Sequence, residues 1–219
     1  MQPQLPLDGG NDHRGRIVSG LVEHGFAVEP GYFSPALVRA LRREMLLRER
    51  RGEFSEAAIG RSDLLQQNEW VRRDRTCWLQ AGSLAQCRLL EELESLRLLI
   101  NRELFLGLFD LESHFAIYEG GAFYRRHLDA FNADNPRVVS VVIYLNDHWQ
   151  PSDGGQLRIW PQPDAVRPVL DVSPRAGTLV CFLSERIPHE VLVAHRQRFS
   201  IAGWFRRNMT TAECIDPPR

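Results

Sequence analysis

Tyr124-Arg125-Arg126-His127-Leu128-Asp129 sets an imidazole and a carboxylate two residues apart. Sixty residues past Asp129 stands Pro188-His189-Glu190-Val191, and nine past His189 stands Arg198. Two imidazoles and one carboxylate on one face of a divalent ion suit Fe(II), with three positions left open. Zn(II) accepts the same donors, but zinc chemistry gives no role to the Arg that follows. His-x-Asp alone is a weak signal, and a single His is more often a hydrogen-bonded surface or core residue. The geometry of a strand strengthens it: residues i and i+2 point to one face, so His127 and Asp129 can reach one ion. His189 then supplies the third ligand from another strand.

Two further polar residues sit where an apolar strand is expected. Arg198 opens the run Arg198-Phe199-Ser200-Ile201, and Tyr144 lies in Val141-Val142-Ile143-Tyr144-Leu145. An Arg and a Tyr turned into an apolar barrel are costly unless they meet an anion. A dicarboxylate supplies one, because guanidinium pairs bidentately with a carboxylate and the phenol adds a donor. His13, His24, His114, His148 and His195 lack such a context and are read as structural.

Helices must come first, and strands after, to hold these residues. Arg14 to His24 reads as a helix with Ile17, Val18 and Leu21 on one face, stopped by Gly25. Phe26-Ala27-Val28 reads as a strand. Ser34-Pro35 opens a helix to about Arg51, with Leu37, Val38, Leu41 and Met45 inward. Its Arg residues alternate with Glu44 and Glu49, the pattern of a solvated face rather than an RNA-binding one. Phe54 to Glu69 has no period and reads as a loop. Strand character appears around Arg73-Asp74-Arg75. Ser83 caps a third helix to about Phe105, with Leu84, Cys87, Leu90, Leu93, Leu96 and Ile100 as its apolar stripe.

From His114 the texture is short strands: Phe115–Tyr118, Val138–Asn146, Gln156–Trp160, Gly177–Leu183, Val191–Ala194 and Phe199–Phe205, divided by turns such as Asp153-Gly154-Gly155. This is an α+β layout whose β half should be a jelly roll or barrel. The expected organisation is a loose tail over 1–12 and one domain over 13–219. Helical support would span 13–112 and the β core about 113–207.

Bulk properties exclude several classes. Net charge is −1, so no global field favours nucleic acid or an anionic membrane. All 27 basic residues are Arg, which excludes a catalytic lysine. The four cysteines are scattered without a CxxC, so free thiols are expected rather than disulfides or a zinc site. The start of the chain lacks the pattern of a signal peptide, and no apolar run is long enough to span a bilayer; a cytoplasmic protein is expected.

The segment from about Arg72 to Phe205 resembles the Fe(II)- and 2-oxoglutarate-dependent oxygenases of the double-stranded β-helix (cupin-like) fold. Within them it is similar to the prolyl 4-hydroxylases that act on hypoxia-inducible factor and their bacterial homologues. The similar stretches are Arg73-Asp74-Arg75-Thr76-Cys77-Trp78, Tyr124 to Asp129, Tyr144-Leu145-Asn146, Gly154 to Trp160, Pro188 to Val191 and Arg198 to Trp204. The resemblance implies iron at His127, Asp129 and His189. It implies 2-oxoglutarate held by Arg198 and Tyr144, with Tyr118 beside its chelating end. It places Arg137, Trp204, Asp74 and Tyr124 near the substrate entrance. It further implies O2 as oxidant, ascorbate as a reductant, and release of succinate and CO2. The implied partner is a protein with a target proline; elongation factor Tu is the candidate suggested by the bacterial homologues. Two alternatives stand beside this: a same-fold oxygenase acting on a free amino acid or other small molecule, and a non-enzymatic β-barrel binding module.

Overall fold

The N-terminal helices form where the apolar spacing and caps put them. In the computed structural model, residues 13–57, 72–130, 135–210 and 216 are described. Helix α1 is His13–Glu23 and strand β1 is Phe26–Glu29. Helix α2 is Pro35–Arg50; Ser34 accepts the Leu37 amide at its N-cap, and Pro35 sits in the first turn. Strands β2, Ser55–Glu56, and β3, Asp74–Trp78, follow. Helix α3 is Leu84–Leu104, capped by Ser83 and ended by Phe105 in left-handed backbone.

Two expectations change here. Ser55–Glu56 is not loop but a short strand paired with β3, because its backbone completes an open sheet edge. Residues 58–69, the rest of that expected loop, residues 70–71 and the expected tail 1–12 lie outside the described residues. The buried stripe of α3 holds Leu93, Leu96 and Ile100 as expected, but begins with Gln86 and Leu89, leaving Leu84 69% exposed. The Gln86 amide bonds the Glu44 carboxylate on α2 and accepts from the Gln80 amide at 2.9 Å. A buried but satisfied polar group thus takes a position that apolar periodicity assigns to Leu.

The β half comprises β4 (Asp110–Tyr118), β5 (Tyr124–His127), β6 (Arg137–Tyr144), β7 (Leu157–Ile159), β8 (Leu170–Val172), β9 (Leu179–Leu183), β10 (His189–Val191) and β11 (Arg198–Arg206). A seven-stranded sheet has the order β1-β9-β6-β11-β4-β3-β2, and a four-stranded sheet has β5-β10-β7-β8; all pairings are antiparallel. The expected strand over Val191–Ala194 lies earlier, at His189–Val191, since it pairs with β7 and β5 there.

Alternation along the larger sheet divides two cores. Phe115, Ile117, Val139, Val141, Ile143, Phe199, Ile201 and Phe205 pack with the helices. Ala116, Tyr118, Tyr144, Val180 and Phe182 pack instead with Leu157, Ile159, Val172 and Val191 of the smaller sheet. The candidate ligands lie in this second, inter-sheet space. No helix among the described residues is long and apolar enough to cross a membrane. Cys77, Cys87 and Cys181 are free thiols, and Cys181 is buried in β9 as expected.

Candidate active site

Antiparallel pairing of β5 with β10 sets His127 directly opposite His189. Their ring centroids are 4.2 Å apart. Each imidazole is fixed by its Nδ1, which lies 2.8 Å from the Arg125 carbonyl in His127 and 3.1 Å from the Ile187 carbonyl in His189. A carbonyl only accepts, so in both rings Nδ1 carries a proton and Nε2 is turned toward Asp129. Those Nε2 atoms approach Asp129 Oδ1 at 3.4 Å and Oδ2 at 3.7 Å. The ligand atoms of His127, Asp129 and His189 all lie within 4.8 Å of one another. Two imidazole Nε2 atoms facing one carboxylate form the donor set that a divalent cation takes once those nitrogens are unprotonated.

Asp129 is not on a strand, contrary to expectation. β5 ends at His127, and Asp129 sits on the bend that follows. Its position comes from β6 instead: Ser140 Oγ donates to Oδ2 at 2.6 Å, and Ser140 lies 2.9 Å from Ser184 Oγ. Burial raises the Asp129 carboxyl, but the His189 and His127 imidazoles and the more distant Arg137 outweigh it, holding the group well below the usual carboxylate range. The site therefore keeps an anion ready between two imidazoles. His189 is lowered to about 4, by burial first and then by His127.

Arg198 opens β11 and is 1% exposed. Its Nε donates to the Gly155 carbonyl at 2.8 Å and its Nη1 to Ser200 Oγ at 3.1 Å. The guanidinium lies 4.9 Å from the Tyr118 ring centre and 5.1 Å from that of Tyr144. No carboxylate among the described residues pairs with it. Tyr144 Oη is also buried without a partner. Burial, opposed by Arg198, pushes the Tyr144 phenol up to about 12, and Tyr118 is raised further, so both are neutral donors. A buried cation without a counterion beside an unsatisfied hydroxyl fits one arm of a dicarboxylate. Gly155 makes room for it: at φ +63°, a Cβ there would lie 2.9 Å from Arg198 Cδ.

The residues expected at the entrance are placed differently from one another. Tyr124 stacks on His127, centroids 3.7 Å apart and planes at 17°. Arg137 lies 3.5 Å above the Trp204 ring and donates to Glu112 at 2.8 Å. Asp74 is buried and its carboxylate is taken by Arg72, at 2.8 and 2.7 Å. Arg72 in turn lies 4.5 Å from the Tyr124 ring centre. The sequence reading missed Ser140, Ser184 and Arg72. Ser140 did leave a signal, a hydroxyl inside the apolar run Val138-Val139-Ser140-Val141.

A family model for the 2OG-Fe(II) oxygenase superfamily matches residues 113–206, β4 to β11. With the relatives below, this shows that the chain belongs to the 2-oxoglutarate- and Fe(II)-dependent oxygenases, a family that uses Fe(II), 2-oxoglutarate and O2. A Pseudomonas putida prolyl-4-hydroxylase of known structure is 45% identical, with TM-score 0.79, covering 89% of this chain and 98% of that one. A Trichoplax adhaerens prolyl hydroxylase, solved with a hypoxia-inducible-factor oxygen-degradation-domain peptide, is 27% identical, with TM-score 0.78 and 89% of each chain covered. Human Egl nine homolog 1 is 28% identical over 200 residues, 86% of this chain. The chain spans 45% of that relative's length, and less than half of the other curated relatives it matches.

Proposed function

We propose that the protein is an Fe(II)- and 2-oxoglutarate-dependent dioxygenase that hydroxylates a prolyl residue in a protein. The convergence of His127, Asp129 and His189 within 4.8 Å, both imidazoles bonded through Nδ1, carries this reading. In it, those three residues hold Fe(II). Arg198 pairs with the distal carboxylate of 2-oxoglutarate and Tyr144 donates to the same group, while Tyr118 packs beside the chelating end. Bound iron and 2-oxoglutarate would supply oxidative decarboxylation to succinate and CO2, coupled to insertion of one oxygen atom. The chain's own residues orient and exclude: Ser140 aims Asp129, Tyr124 covers His127, and the aromatic walls keep water away. Arg137, Trp204 and Tyr124 face the incoming chain in this reading, and Asp74 acts through Arg72.

Relatives named prolyl hydroxylases, one of them solved with a peptide bound, support a protein substrate. Elongation factor Tu is the first candidate to offer. The test supplies purified enzyme with Fe(II), 2-oxoglutarate, ascorbate and lysate proteins. Mass spectrometry should find prolyl residues that gain one oxygen only when 2-oxoglutarate is present. Succinate release stimulated by free amino acids and not by proteins would overturn the protein-substrate reading.

A further inference from the structure

His114 is buried in β4 at 5% exposure, and its Nδ1 has no hydrogen-bond partner. Trp204 Nε1, on the neighbouring strand, is likewise buried and unpartnered. The two rings are 5.4 Å apart. On the other side of His114 lies Trp78, 5.2 Å away edge-on and 48% exposed. Pairing registers the row: Trp78 opposes His114 across β3–β4, and Trp204 opposes Ser140, which holds Asp129, across β11–β6. A wall thus runs from an exposed indole, past His114 and Trp204, to the metal ligands. β4 lies two strands from β6, ~10 Å across the sheet.

An apolar side chain would fill the slot between two indoles without stranding a ring nitrogen. What the wall offers is one donor, the indole N–H, next to one imidazole nitrogen able to accept. Burial is the chief reason that His114 is lowered to about 4, so near pH 7 the ring is uncharged. The cation nearest Trp204, Arg137, is already paired with Glu112. A neutral donor and acceptor match the carbonyl and N–H of a peptide main chain. They match a free amino acid poorly, since its carboxylate and ammonium would bring full charges against unpaired neutral groups.

Resting on the prolyl hydroxylase reading, we propose that His114 is a specificity-determining residue that accepts the main-chain N–H following the target residue, while Trp204 donates to the adjoining carbonyl. The enzyme then recognises a peptide bond beside the iron, and free proline lacks the group it reads.

Two small probes separate the possibilities: N-acetyl-L-proline N-methylamide, and its methyl ester, which replaces the N–H by oxygen. Each is titrated into the full chain loaded with Zn(II) and 2-oxoglutarate, and the imidazole nitrogen shifts of His114 are followed by NMR. The amide should bind about tenfold tighter than the ester, the worth of one hydrogen bond, and should move the His114 signals. In His114→Leu the preference should collapse, with 2-oxoglutarate affinity unchanged. Equal binding of both probes, an equal preference in His114→Leu, or no shift of the His114 signals overturns the proposal. The wild-type comparison decides the matter even if the variant does not fold. Failure here would leave prolyl hydroxylation of lysate proteins intact, and failure there would leave these binding data standing.

Discussion

Arg198 carries a full charge into a wall that is otherwise aromatic and aliphatic, and Tyr144 brings a hydroxyl that nothing satisfies. Both are unfavourable in the ligand-free protein and become favourable once a carboxylate arrives. The two variants should therefore behave differently. Arg198→Ala should raise the KM for 2-oxoglutarate by about 10- to 100-fold, ~1.5–3 kcal/mol for bonds to a charged group. Tyr144→Phe should weaken 2-oxoglutarate by ~1 kcal/mol, yet leave the melting temperature of the free protein unchanged or higher. A lower melting temperature would mean that the hydroxyl is already bonded inside the protein. These two residues were legible from sequence because each is polar within an apolar run. Asp74 was legible only as a position. That Arg72 occupies its carboxylate depends on a side-chain contact that spacing does not encode.

At the scale of elements, the candidate metal ligands owe their geometry to strand pairing. β5 and β10 bring the imidazoles together, while Asp129 is set by β6 through Ser140. Ser140→Ala removes that bond and leaves the fold's apolar contacts in place. Metal affinity, measured by titration, should fall about 10- to 100-fold, the usual cost of losing such an orienting partner. Unchanged affinity would show that the bend after β5 positions Asp129 unaided. The sequence pointed to the same three residues that converge here, for a partly wrong reason: His-x-Asp suggested one strand face, whereas the strand ends at His127. β5 itself, Tyr-Arg-Arg-His, lacks the apolar alternation that reveals a half-buried strand, since its inward residues serve the site. The helices were legible almost to the residue, because Ser34 and Ser83 are true caps and the apolar spacing is regular.

For the whole molecule, the helices cover one face of the larger sheet, and the site occupies the space between the two sheets. Two imidazoles are buried uncharged there, His114 and His189, each lowered to about 4 chiefly by burial. The unfolded chain binds those protons near pH 6.5, so between 6.5 and 4 it holds more protons than the folded chain. Stability of the metal-free protein is thus fully present above pH 6.5 and is lost as pH falls toward 4, by up to ~3 kcal/mol per group. Chemical denaturation at several pH values should show this slope, and a shallower one in His114→Leu. A flat profile would mean that neither ring is buried neutral. The arrangement of the sheets was not legible from sequence beyond a jelly roll or barrel. Which strands become neighbours is decided by pairings between residues far apart in the chain, such as Phe26 with Phe182.

In the proposed reading, His127, Asp129, His189 and Arg198 form one site for iron and 2-oxoglutarate. Anaerobic calorimetric titration of 2-oxoglutarate into the protein, with and without Fe(II), tests it most directly. One 2-oxoglutarate should bind per chain, strongly only with Fe(II), and binding should be lost in His189→Ala and weakened in Arg198→Ala. Binding that ignores Fe(II), or that survives His189→Ala unchanged, would contradict it.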